Sequence, residues 1–72
     1  MENKEHKIFG NWLKEQRLKK GLTQVELAKK IGVSEITIYN AERGHPCSIK
    51  VRAGVAKLFK VKSEIVYQLY NN

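Results

Sequence analysis

The chain has 72 residues, enough for one domain with one small core. Fourteen Lys and Arg against seven Asp and Glu leave a net charge of +7, which favours a polyanionic partner, nucleic acid first. No apolar run approaches the roughly 20 residues of a transmembrane helix, the first five residues hold no apolar stretch for a signal peptide, and the lone Cys47 closes no internal disulfide; a cytoplasmic protein with no membrane partner is expected.

In chain order, Ile8, Phe9, Trp12, Leu13 and Gln16 recur at helical spacing, with Lys14, Glu15, Lys19 and Lys20 on the opposite face. Gly21 stops this first helix. Thr23 followed three residues later by Glu26 is a capping box, so a second helix begins at Gln24. Its apolar face is Leu27, Ala28 and Ile31, with Val25 nearby. Gly32 supplies a backbone conformation that a side chain would resist, and Ser34 is a good N-cap for a third helix ending near Gly44. Pro46 and Ser48 introduce a fourth helix, from about Ile49 to Phe59, that buries Val51 or the Arg52 stem with Val55, Ala56 and Phe59. Ser63 caps a last short helix carrying Ile65, Val66 and Leu69. There is no alternating strand pattern, repeat, low-complexity tract or linker. The expected fold class is all-α, a compact five-helix bundle, as a single domain over residues 1–72 with its core across about residues 8–70.

The third helix carries two stripes. At about 100° per residue, Ile38, Ala41 and Glu42 share one side, with Ile38 as core anchor. Ile36, Tyr39, Asn40 and Arg43 fall at i, i+3, i+4 and i+7 on the other. Such an outer stripe suits a major groove: Ile36 against a thymine methyl, Asn40 bonding adenine bidentately, and Tyr39 with its aromatic hydroxyl. Glu35, at the helix start, is able to accept from cytosine N4. An ordinary solvated face with one stray Ile explains the same spacing.

These residues resemble the Xre family of helix-turn-helix regulators, which includes the lambda-type phage repressors and Cro proteins. The resemblance is carried by Gly21-Leu-Thr-Gln24, Glu26-Leu-Ala28, Gly32-Val-Ser34, Ile38 and Glu42-Arg-Gly44, and it extends from about Phe9 to Val66. It implies a compact bundle whose second and third helices form the DNA-binding unit. By the resemblance, Thr23 and Gln24 open the second helix at DNA, Gln24 bonding a phosphate. Glu35, Ile36 and Asn40 reach base edges, and Ser34, Thr37 and Tyr39 lie close to bases or phosphates. Arg43 and His45 lie where phosphates are contacted. Arg17 and Glu42 match a pair that joins the first and third helices by a salt bridge, a structural role. Several residues depart from the family pattern. Glu35 brings a negative charge towards DNA. Ala41 is small, so the core beneath the third helix is expected to be thin or filled from elsewhere, Trp12 being the candidate. Gln16 and Arg52 replace apolar residues, and Lys60 stands where many relatives have Gly.

Other chemistry is sparse. His6, His45 and Cys47 have no recognised metal spacing, and no nucleophile–base set, P-loop or Rossmann glycine signature is present; no metal, cofactor or enzymatic activity is expected. Lys19-Lys20 and Lys29-Lys30 read as solvated faces. Tyr67, Leu69 and Tyr70 either finish the core or form a dimer surface. The expected function is a sequence-specific DNA-binding transcriptional regulator, a dimeric repressor of phage or mobile-element type. Its partner would be a pseudo-palindromic double-stranded operator, and homodimerisation is expected through the C-terminal helix. The alternative is a protein-interaction module on the same fold, antitoxin-like or a co-regulator, with weak or no base reading.

Overall fold

Five helices follow one another in a computed structural model that describes residues 5–72: α1 (Lys7–Lys19), α2 (Gln24–Ile31), α3 (Glu35–Glu42), α4 (Ile49–Leu58) and α5 (Ser63–Tyr70), with no strand among the described residues. Phe9, Leu13, Leu27, Ile38, Val51, Val55 and Val66 are fully buried at the centre. Trp12, Leu22, Ile31, Val33, Leu58, Phe59 and Leu69 pack around them. No described helix is long and apolar enough to cross a membrane.

α1 keeps most of its expected apolar line inward but is rotated so that Ile8 leaves it. Phe9, Leu13 and Arg17 are buried with Gly10, whereas Ile8 is half exposed. The reason is Gly10. A Cβ built there would lie 2.7 Å from the carbonyl oxygens of both Ala41 and Glu42, so the bare backbone lets α1 settle directly onto α3. That contact rotates the buried face away from Ile8. It also closes the space beside the small Ala41, which is fully buried. Trp12, expected to fill that space, packs instead against Phe9 and Phe59, with ring centroids 6.1 and 6.2 Å apart.

α4 starts at a Ser48 hydroxyl that accepts from the Val51 N–H at 3.4 Å, and its last turn ends with Lys60 at φ 57°, a left-handed conformation. Val61 N–H reaches back to the Ala56 carbonyl at 3.0 Å, the long bond of a Schellman closure. α5 begins one residue earlier than a Ser63 cap requires. The Lys62 carbonyl already accepts from Ile65 and Val66, so Lys62 holds the cap position with no side-chain acceptor and Ser63 is the first helical residue. Its inward residues are Val66 and Tyr70, with Leu69 beside them; Ile65 is exposed.

Of the two tyrosines in the aromatic tail, one finishes the core and the other does not. Tyr67 is exposed, whereas Tyr70 is buried and holds several segments together. Its hydroxyl accepts from Cys47 N–H at 3.1 Å and donates to the Cys47 carbonyl at 3.2 Å. The His6 ring stacks on it with centroids 3.6 Å apart, and the Arg52 guanidinium lies 4.1 Å from its centroid. His6 Nδ1 donates to the Tyr70 carbonyl, and His6 N–H donates to the Gly44 carbonyl at 3.1 Å. Arg52 thus replaces an apolar residue by covering an aromatic face.

Candidate nucleic-acid interface

α2 and α3 are locked at their starts by side chains three residues away. Thr23 Oγ1 accepts from Glu26 N–H at 3.1 Å, and the Glu26 carboxylate accepts from Thr23 N–H at 2.8 Å. The Thr23 backbone N–H, then its hydroxyl, and more weakly Lys30 and Lys29, hold the Glu26 carboxyl below the ordinary carboxylate range. The backbone N–H groups of Gln24 and Val25 in the first turn of α2 have no partner among the described residues. They form an open helix end whose donors are of the kind that suits an anion. Gly32, at φ 88° and ψ 37°, turns the chain from α2 into Ser34, whose Oγ accepts from Thr37 N–H at 3.4 Å. Ser34 and Thr37 also pair their hydroxyls at 2.9 Å, so both are engaged in starting α3.

Behind this unit lies a buried ion pair in which every side-chain nitrogen and oxygen has a hydrogen-bond partner. Arg17 and Glu42 are each 8% exposed. Arg17 Nε donates to Glu42 Oε2 at 2.7 Å, one terminal nitrogen donates to Oε1 at 3.2 Å, and the other donates to the Leu22 carbonyl at 2.8 Å. Gln24 Nε2 adds a third donor to the carboxylate at 3.1 Å. Buried charges survive only when their hydrogen-bonding capacity is met, and here α1, α2 and α3 meet it jointly. The chain Arg17–Glu42–Gln24 therefore fixes the side chain at the mouth of α2 to the end of α3.

In front of it runs a trough. Gln24, Glu35, Ile36 and Tyr39 line one concavity of about 280 Å³; Lys14, Arg17, Gln24, Tyr39, Glu42 and Arg43 line the next, of about 440 Å³. Gln24 and Tyr39 border both. Ile36 is 58% exposed and Tyr39 42%. The Tyr39 hydroxyl accepts from Arg43 at 3.3 Å, with the guanidinium 5.4 Å from the ring centroid. Asn40, half-buried, lies one turn beyond Ile36. Arg43 is the C-cap of α3, outside the helix proper. Among the described residues no three His, Cys, Asp or Glu side chains gather as a metal site requires. Burial pushes the Cys47 thiol up, against the opposing pull of Arg52.

The helix-turn-helix family pattern covers residues 13–64. The chain belongs to this family. An uncharacterized HTH-type transcriptional regulator of Methanocaldococcus jannaschii is 45% identical over 58 residues, which span 79% of this chain and 88% of that protein. Two uncharacterized HTH-type transcriptional regulators of Archaeoglobus fulgidus are 39% and 38% identical over 56 residues, covering 76% of this chain and 79% and 80% of theirs. In this helix-turn-helix protein the fold joins residues that spacing alone keeps apart. Lys14, on the solvated side of the α1 pattern, faces the same concavity as Arg43. The Gln24 amide is bound to Glu42, a link across 18 residues that no local pattern announces.

Proposed function

We propose that this protein is a sequence-specific DNA-binding transcriptional regulator that represses by occupying its operator with α3 in the major groove. The observation that carries this reading is the outer surface of α3. It presents Glu35, Ile36 and Asn40 beside a trough edged by the open start of α2 and by the cations of Lys14 and Arg43. Phosphates would be held by the α2 N–H groups, Thr23, Gln24 and Arg43. Ser34 and Thr37 would set the entry of α3, Tyr39 would flank the backbone, and Glu35, Ile36 and Asn40 would meet base edges. Arg17 and Glu42 would hold the two helices in register. The net charge of +7 and the names of the archaeal relatives support a DNA partner.

The operating form in this reading is a homodimer on a pseudo-palindromic site, its two α3 helices entering major grooves about 34 Å apart. The groove between α4 and α5, about 310 Å³ and lined by Ile49, Ala53, Val66 and Tyr67, supports pairing through the C-terminal helix. Ile49 is 73% exposed there and Tyr67 64%.

Binding to duplexes recovered from a random pool tests the reading. Affinity should fall steeply with salt, log K by about 0.9 per neutralised phosphate against log salt. Asn40→Ala should cost about 1–3 kcal/mol on the recovered site and little on random DNA. Equal loss on both removes Asn40 from base reading. The acid and apolar pair Glu35–Ile36 at the exposed start of α3 favours a second reading, a protein-binding module on the same fold, and absence of binding to any duplex at low salt would remove the first and favour the second.

A further inference from the structure

We propose that Glu35 is the residue that selects a cytosine in each operator half-site, with Ile36 selecting a thymine next to it. This rests on the DNA-reading function proposed above.

The side chains around the trough are not equally able to read. Ser34 and Thr37 spend their hydroxyls on each other and on the start of α3. The Tyr39 hydroxyl already accepts from Arg43 and has only its own proton left to offer. The Gln24 amide nitrogen is held by a buried carboxylate that itself pairs with Arg17. Glu35 differs from all of these. It is the first residue of α3, exposed, with no hydrogen bond or ion pair to its carboxylate among the described residues. It also lines the same concavity as Ile36. The N-terminal residues of a recognition helix are the ones that contact base edges.

The chemistry of a carboxylate then narrows the choice of base. It accepts hydrogen bonds and donates none. In the major groove guanine presents two acceptors, N7 and O6, and thymine presents the acceptor O4. Adenine has a donor at N6 but an acceptor at N7 beside it. Cytosine alone offers its N4 donor with no acceptor on its own edge. Guanine and thymine therefore repel Glu35, adenine sets an acceptor against its donor, and cytosine alone rewards it without opposition. Ile36 has no polar group, so its gain on entering the groove is apolar contact, and the thymine methyl is the apolar group the groove supplies. The charge of Glu35 also opposes the phosphates at every sequence. It lowers affinity for random DNA while the cytosine contact restores affinity at the cognate site.

Selection from a random duplex pool with the wild type, Glu35→Gln and Glu35→Ala tests this. The wild type should enrich a C·G pair at one position of each half-site over the other pairs by about five- to a hundred-fold. Glu35→Gln should move that position to adenine, since an amide bonds both N6 and N7, and should bind random DNA more tightly than the wild type. Glu35→Ala should lose the preference there and keep the rest of the site. Ile36→Ala should relax a neighbouring thymine. Because Glu35 is exposed and outside the core, thermal melts of the variants should match the wild type and separate reading from folding. The same base enriched in all three proteins, or no cytosine in the wild-type site, overturns the assignment while leaving DNA reading intact. Recovery of no site by the wild type overturns both.

Discussion

Replacing Gly10 by Ala sets two effects of opposite sign against each other. Within α1, alanine is the better helix former by about 0.8–1 kcal/mol, and on a free helix surface the change would stabilise. Here the added methyl arrives 2.7 Å from the carbonyl oxygens of Ala41 and Glu42, closer than a Cβ and an oxygen can approach. Those neighbours are backbone in the last turn of α3, so no rotamer change relieves the contact. Overpacking of a rigid site costs about 1–3 kcal/mol, and the backbone clash puts this one at the upper end. The net expectation is a loss of about 1–2 kcal/mol, or roughly 5–15 °C in Tm for a domain of this size. Thermal and urea unfolding followed by far-UV circular dichroism would measure it, with the urea slope unchanged if the folded and unfolded states keep their exposure. The displaced Glu42 should also disturb its bonds to Arg17 and Gln24, so DNA affinity should fall beyond what the unfolded fraction explains. A variant as stable as the wild type, or more stable, would refute the close approach of α1 and α3 and with it the account of the buried face of α1.

Lys60 pays for a left-handed conformation that glycine adopts freely, so Lys60→Gly should raise stability by about 0.5–1 kcal/mol in the same unfolding assay, despite glycine's larger chain entropy. Arg17→Met leaves the buried Glu42 carboxylate without its main partner and should cost about 3–5 kcal/mol, while the double change Arg17→Met with Glu42→Leu should recover most of it. Glu26 gives up its proton more readily in the folded state than in the unfolded chain. Its contribution is therefore complete above the unfolded-chain value and fades as pH falls through the lower folded value. Glu26→Gln should flatten the acid side of the stability–pH profile, as read from urea unfolding across that range.

The parts of the fold legible from the sequence are those in which cause and effect lie within one helical turn. Thr23 with Glu26, Gly32, and Ser34 with the N–H of Thr37 each act over three residues or fewer, and the structure places α2 and α3 where they indicate. The less legible parts depend on which helix approaches which. Ile8 loses its place in the core because Gly10 brings α3 to another side of α1, and an apolar count assigns a glycine no weight. Ser63 looks like a better cap than Lys62, yet the carbonyl of Lys62 already closes the first turn of α5. In the candidate interface the outer stripe of α3 is readable as a stripe, but not the division of labour along it. That division comes from the bond of Tyr39 to Arg43 and the hold of Glu42 on Gln24, one partner lying beyond α3 and the other across the bundle.

The stacking of His6 on Tyr70 joins positions 64 residues apart. The starts of α2 and α3 are closed by local contacts, and the Arg17–Glu42 pair ties the two helices to α1. Yet the segment that leaves α3 is held by His6 at Gly44 and by the Tyr70 hydroxyl at Cys47. Contacts of such sequence separation require the largest loop closure. During synthesis the capping residues of α2 and α3 are all present well before Tyr70, but the strap behind them cannot close until Tyr70 has left the ribosome. α5 thus completes the support of α3, which is made well before it.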